Sequence, residues 1–408
     1  MSGTARVDSW KTWLAAGATA LLVACGGGGG DAGSTNARAA AAGNASAVPG
    51  SNVLPIRVDA GTDGSAINQP FVSITVCEPG TSNCATVDRV IVDTGSSGLR
   101  LSGAALPASL RQLLPVINAG DGSPAGQCAQ FASGFAWGSV RQADVRMGGE
   151  TAARVSIQVI NDPVSPYAAV PAQCSSTGAD IGGGQGANGI LGVGFFDEDC
   201  GVACAVSSAP RVYYGCSAAG CTPATMPLAS QVSNPVARLP VNNNGVVVVL
   251  PEVPLGGVGD VQGSLVLGIG TQANNALAGE TVLAADARGF FTTIYQGTAY
   301  TESFIDSGSN GLFFNDPSLP RCGDFYCPGG ALSLSATNVG ADGATSTVSF
   351  LVEDVTAIAP DASAAHLGGS SILAGSFDWG LPFFFGRRVF VAREGAATPY
   401  GTGPYWAY

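Results

Sequence analysis

The sequence predicts an all-β protein of two lobes. Three observations carry that prediction. The chain of 408 residues holds 59 glycines and 24 prolines, and only 11% of its residues are charged, a balance that suits turn-rich strands rather than amphipathic helices. Apolar and polar residues alternate over many short runs broken by glycine, with no heptads and no strand–helix alternation. One segment also occurs twice. Arg89-Val90-Ile91-Val92-Asp93-Thr94-Gly95-Ser96-Ser97-Gly98-Leu99 is matched by Ser303-Phe304-Ile305-Asp306-Ser307-Gly308-Ser309-Asn310-Gly311-Leu312.

In chain order, residues 1–24 read as a signal peptide. Arg6 and Lys11 precede an apolar run from Trp13 to Ala24, too short to span a membrane. Residues 25–50, rich in Gly, Ala, Ser and Asn, read as a flexible tether. A first lobe is expected over 51–255 and a second over 256–408. Residues 52–60 predict a strand and 61–65 a turn. Residues 70–77 and 84–93 predict a hairpin that delivers Asp93. Residues 104–114 suit a short helix, and 129–159 two or three strands. Residues 175–188 read as a glycine-rich loop, 197–235 as an irregular insertion, and 246–250 as a strand near the lobe boundary.

An isolated Asp-(Thr/Ser)-Gly is usually a turn, in which Asp caps the backbone and Gly supplies a positive φ. A pair of them, each at the end of an apolar strand and each followed by Gly-Leu, points to more. Two carboxyls brought together cannot both ionise easily, so they share a proton and can activate water. Further downstream come Gly189-Ile190-Leu191-Gly192 in the first half and Ser371-Ile372-Leu373-Ala374-Gly375 in the second. Each is two apolar residues and a glycine, or nearly so.

On these motifs the chain resembles the pepsin-like aspartic proteases over about residues 51–408. The resemblance extends to Gly263–Gly270 at the lobe junction, Gly289–Thr293 before the second aspartate, and Phe383–Ala392 near the C-terminus. It implies a bilobed fold with a cleft, and Asp93 and Asp306 as a catalytic dyad. It implies that Gly95 and Gly308 offer N–H groups to the carboxylates, and that Ser96 and Ser309 donate to their outer oxygens. Thr94 and Ser307 would lock the two loops together. The family flap carries Tyr-Gly-Thr-Gly; here Phe135 falls near the Tyr position without its hydroxyl. Trp137 either supplies an N–H in its place or is plain packing. Leu373-Ala374-Gly375 replaces the commoner Ile-Leu-Gly-Asp, and Arg100-Leu101 stands where the family usually has Trp.

Leu22-Val23-Ala24-Cys25 resembles the lipobox of bacterial lipoproteins, which implies lipidation at Cys25. Gly26 after it resembles the pattern that sorts lipoproteins to the outer membrane. A cell-envelope location is therefore expected. The ten remaining cysteines form an even set, which in an exported chain implies disulfides. The expected bridges are Cys77–Cys84, Cys322–Cys327, two among Cys200, Cys204, Cys216 and Cys221, and Cys128–Cys174 by elimination. A metal is not expected, because His366 is the only histidine and no paired Cys-x2-Cys knuckle occurs.

The formal charge is −12, and Lys11 is the only lysine, which argues against nucleic acid as a partner. No Gly-x-Ser-x-Gly elbow and no P-loop lysine is present. Asp197-Glu198-Asp199 reads as a solvated acidic loop. Two functions are then expected. The first is a monomeric, lipid-anchored endopeptidase acting on peptides without a cofactor or self-inhibiting pro-segment. The second is a peptide- or protein-binding lipoprotein that keeps the fold without efficient catalysis.

Overall fold

The computed structural model describes residues 50–408 apart from 63, 65 and 183–185. The signal peptide, the tether after it and Cys25 lie outside the described residues. No helix among the described residues is long and apolar enough to cross a membrane.

The chain opens with β1 (Val53–Asp59), whose alternate residues Leu54, Ile56 and Val58 point into the core. A hairpin follows, of β2 (Gln69–Cys77) and β3 (Cys84–Asp93), closed by the Cys77–Cys84 disulfide. After the first aspartate turn come β4 (Ser97–Ser102) and the short helix α1 (Ala108–Leu113), which begins just after Pro107. Next are β5 (Ala125–Phe131), β6 (Gly134–Met147) and β7 (Glu150–Ile160), an antiparallel meander. α2 (Ala172–Ser175), tied to β5 by Cys128–Cys174, leads into the glycine-rich loop, which holds β8 (Ala179–Asp180). β9 (Gly189–Val193) then returns to the centre.

The stretch expected to be an irregular insertion belongs to the sheet. After α3 (Val202–Val206), β10 (Tyr213–Ser217) and β11 (Gly220–Pro223) form a hairpin stapled by Cys216–Cys221, and β10 pairs with β5. Its strand signal was hidden because Tyr213, Tyr214, Gly215 and Cys216 are all buried, so no alternation survives. Cys200–Cys204 ties α3 to the residues just before it. Cys322–Cys327, Cys77–Cys84 and Cys128–Cys174 are as expected, and the two pairings left open among four cysteines are Cys200–Cys204 and Cys216–Cys221.

β12 (Gly245–Leu250) and β13 (Val261–Leu267) pair with each other, and β13 pairs with β1. The boundary expected at 255/256 thus falls in a loop between neighbours of one sheet. Val246 and Val248 face the main core while Val247 faces a second cluster with Val266, Phe390 and Tyr405. Burial on both faces is why this strand reads as an unbroken valine run.

The second half adds β14 (Val282–Ala284), β15 (Phe291–Tyr295), β16 (Thr298–Asp306) and β17 (Leu312–Phe313). It continues with β18 (Arg321–Cys322), β19 (Phe325–Tyr326), β20 (Leu332–Val339) and β21 (Thr345–Val352). β22 (Gly368–Gly369), β23 (Asp378–Gly380), β24 (Arg387–Ala392), β25 (Ala397–Thr398), β26 (Gly401–Thr402) and β27 (Tyr405–Ala407) complete it. A 16-stranded sheet collects every strand up to β13 and also β14, β24 and β27; a 9-stranded sheet holds β15–β23.

Both aspartate loops use one topological device. β9 runs parallel to β3 and antiparallel to β4, threading between the two arms of the first loop. β23 does the same between β16 and β17. The second threading strand is therefore Asp378-Trp379-Gly380, not the expected Ser371–Gly375 segment. Gly192 and Gly380 sit opposite Asp93 and Asp306. A Cβ on Gly380 would lie 2.1 Å from the Gly311 carbonyl oxygen, so only glycine passes there.

Candidate active site

Asp93 ends β3 and Asp306 ends β16, each where an apolar strand turns sharply beneath its threading strand. Both side chains are almost wholly buried, 1% and 0% exposed. The Gly95 N–H lies 2.9 Å from Asp93 Oδ1 and 3.2 Å from Asp306 Oδ1, so one donor touches both carboxyls. Gly308 N–H donates to Asp306 Oδ1 at 2.8 Å. A Cβ on Gly95 would stand 2.6 Å from Asp306 Cγ. No side chain fits between the paired groups. The outer oxygens are held by hydroxyls: Ser96 Oγ donates to Asp93 Oδ2 at 2.5 Å and Ser309 Oγ to Asp306 Oδ2 at 2.8 Å.

A second layer locks the loops to each other. The Thr94 hydroxyl donates to the Ile305 carbonyl at 3.0 Å and accepts from the Ser307 N–H at 2.9 Å. The Ser307 hydroxyl donates to the Val92 carbonyl at 2.7 Å and accepts from the Thr94 N–H at 3.1 Å. Four hydrogen bonds thus cross between the halves in a near-symmetric exchange, fully buried. Burial pushes the Asp93 carboxyl well above the ordinary carboxylate range, and the Asp306 carboxyl beside it pushes the same way; the Ser96 hydroxyl offsets part of this.

A cavity opens beside the pair, lined by Ser96, Phe131, Phe195, Phe196, Phe304 and Trp406 among others. Its volume of about 50 Å³ is room for a few waters. The hairpin over it is β5–β6, but its contribution differs from the expected one. Gln130 and Phe131 of β5 line the cavity. Phe135 and Trp137 do not: both are buried in a cluster with Tyr167, Tyr214 and the Cys128–Cys174 bridge. The Trp137 indole N–H donates to the Tyr167 carbonyl at 2.8 Å and its ring meets Tyr214 edge-on. Of the two readings of Trp137, packing is what the geometry places.

Three features of the site carried no readable signal. Arg100 lines the cavity and pairs with buried Asp199 at 3.0 Å. Asp199 also accepts from Tyr213 Oη at 2.5 Å and from the Gln127 amide. Asp197 pairs with Arg393 and Glu198 with Arg238, so this acidic run is not a solvated loop. Its arginines are distant in sequence, which is why spacing did not reveal them. The third feature is Asp378, buried on β23 near the pair. Among the described residues no group of three or more His, Cys, Asp or Glu side chains is placed to hold a metal ion.

A family profile described as "Protein of unknown function (DUF3443)" matches residues 49–408. The chain belongs to the DUF3443 family. No curated protein matches it. Among solved structures it is similar to the aspartic proteinase from Irpex lacteus. The two share 17% sequence identity with a TM-score of 0.50, over 87% of this chain and 96% of the proteinase. At that identity the likeness is one of fold: this DUF3443 chain has an all-β, pepsin-like fold.

Proposed function

We propose that this DUF3443 protein is an aspartic endopeptidase. The observation that carries the reading is the shared donor: one glycine N–H reaches both carboxyls, which are buried, locked together and short of the charge compensation both would need to ionise. In such a pair one proton stays between the two groups. A water held there loses a proton to one carboxylate while its oxygen attacks the peptide carbonyl carbon. The other carboxyl gives its proton to the carbonyl oxygen, so a tetrahedral diol forms. Return of a proton to the amide nitrogen breaks the C–N bond and frees an acid and an amine. Asp93, pushed upward by burial and by Asp306, suits the proton-holding role.

The mature chain, in this reading, is tethered through a lipid on Cys25 to the cell envelope and acts on peptides that reach it there. Radiolabelled palmitate incorporated by the wild type and lost in Cys25→Ser tests the anchor.

A second reading is a peptide-binding protein of the same fold. It is favoured by the small cavity and by a covering hairpin that turns Phe135 and Trp137 away from the pair. Cleavage of a denatured protein between pH 3 and 7, beside Asp93→Asn and Asp306→Asn, separates the two. Acid-favoured cleavage lost in both variants supports the enzyme. Absence of cleavage by folded, disulfide-bonded protein supports the binder.

A further inference from the structure

Asp378 is a buried acid with no role in the chemistry described so far. It is 1% exposed, and neither carboxyl oxygen has a hydrogen bond of ordinary geometry. An ionised carboxylate in that position would be costly, and a buried polar group without a partner calls for an explanation. Its place in the fold narrows the choice. On β23 it pairs with Phe304 of β16 on one side and Phe313 of β17 on the other. Being two residues before Gly380, it shares the face of β23 that meets Asp306. The first half has Ile190 at the matching register, opposite Ile91 and two residues before Gly192. The acid is thus a feature of one half only, and it breaks the near-twofold symmetry of the pair.

The titratable groups that act on Asp378 are Asp306, from β16, and Asp93, from the first loop; both oppose its ionisation. β17 offers only Leu312 and Phe313. The Ser309 side chain lies within reach of its carboxyl. That hydroxyl has a single hydrogen, and it is directed to Asp306 Oδ2 at 2.8 Å. It cannot also donate to Asp378. It can accept from it.

We propose that Asp378 is a positioning residue: as a neutral acid it donates its O–H to Ser309, whose hydroxyl donates in turn to Asp306, so that Asp306 is the base of the pair and Asp93 the acid. The chain of donors polarises the Ser309 hydroxyl and stabilises charge on Asp306 alone. Ser96, bonded to Asp93 in the same way, has no such donor behind it, since Ile190 stands where it would be. The proposal rests on reading the pair as catalytic, but its first consequence is a proton distribution that can be seen without turnover.

The test is carboxyl NMR of the full-length protein labelled with ¹³C at aspartate Cγ, titrated from pH 3 to 9 and assigned with Asp→Asn variants. The Asp378 resonance keeps the neutral-acid position at pH 6. In Asp378→Val, which lacks a donor, the Asp306 midpoint rises by about 0.5 pH unit. In Asp378→Asn, whose amide can still donate to Ser309, it stays within about 0.2 unit. In a Ser309→Ala background, Asp378→Val adds no further shift. A fall of the Asp306 midpoint in Asp378→Val overturns the proposal, because that is the response to losing a repelling anion. So does an ionised Asp378 at pH 6 in the wild type, a reading that needs only the wild-type resonance. If peptide cleavage is present, its acid limb follows the same shifts. Absent cleavage with the shifts intact refutes the protease while leaving Asp378 neutral and donating; cleavage with an unmoved Asp306 midpoint refutes the role of Asp378 and leaves the protease standing.

Discussion

Replacing Ser307 with alanine removes one oxygen from the lock between the two halves. The hydroxyl satisfies two buried backbone groups of the first half, the Val92 carbonyl and the Thr94 N–H. Ser307 is 0% exposed, so water does not take its place. Leaving a buried backbone group unpaired costs about 1–3 kcal/mol, so Ser307→Ala should destabilise the protein by about 2–4 kcal/mol. That is a large part of the ~5–15 kcal/mol that holds a typical folded protein together. Thr94→Val, nearly isosteric, strips the mirror-image pair, the Ile305 carbonyl and the Ser307 N–H, and should cost a similar amount. The measurement is urea unfolding at neutral pH with disulfides intact, beside Ser333→Ala, an exposed strand residue whose loss should fall within about 0.5 kcal/mol. The double variant should lose less than the sum of the two single losses, since a loosened loop weakens the bonds that remain. The reasoning is refuted if Ser307→Ala costs no more than the surface control. Because displacement of a reacting group by about 1 Å can cost ~100-fold in rate, any cleavage should fall further than stability alone explains.

Other consequences follow from the same geometry. Asp199→Asn leaves Arg100 buried without its counter-charge and should cost about 3–5 kcal/mol, most of which Arg100→Leu in the same chain should restore, read by urea unfolding. Cys128–Cys174 closes 46 residues and Cys200–Cys204 only 4; on chain-entropy grounds, removing the first should cost about 4 kcal/mol and the second about 2, read by thermal unfolding of the Cys→Ala pairs. Asp93 has its folded-state pKa raised, so the native protein holds a proton that the unfolded chain has released above about pH 4. Wild-type stability relative to Asp93→Asn should therefore fall as pH rises from about 4 toward the folded value, and a difference that stays flat from pH 3 to 8 would count against a buried shared proton.

The paired turns were legible because their chemistry is local. An acid at the end of an apolar strand, a glycine that lets a second backbone approach, and a hydroxyl three residues on from the acid all lie within one short window. The first threading strand, Gly189–Gly192, was legible for the same reason. Its counterpart is not, because Asp378 stands where the motif has an apolar residue, and Ser371–Gly375 is a closer match in letters. A count from the family motif places Phe135 and Trp137 at the flap. What decides their direction is the packing of β6 against Tyr167, Tyr214 and a disulfide, partners that no local pattern names. The acidic run at 197–199 is opaque in the same way: its meaning lies in Arg100, Arg238 and Arg393.

The last strands described have a bearing on when the carboxyl pair can assemble. β1 pairs with β13, and β27, the last strand described, joins the same sheet through β24. Trp406, on that last strand, packs against Phe195 and walls the cavity beside the carboxyls. A chain grows from its N-terminus, and contacts this distant in sequence form late. The first carboxyl is made long before its partner, and Trp406 of the cavity wall is made later than both. A copy with only the first half would therefore carry one aspartate loop but no pair, so any cleavage requires both halves of the fold.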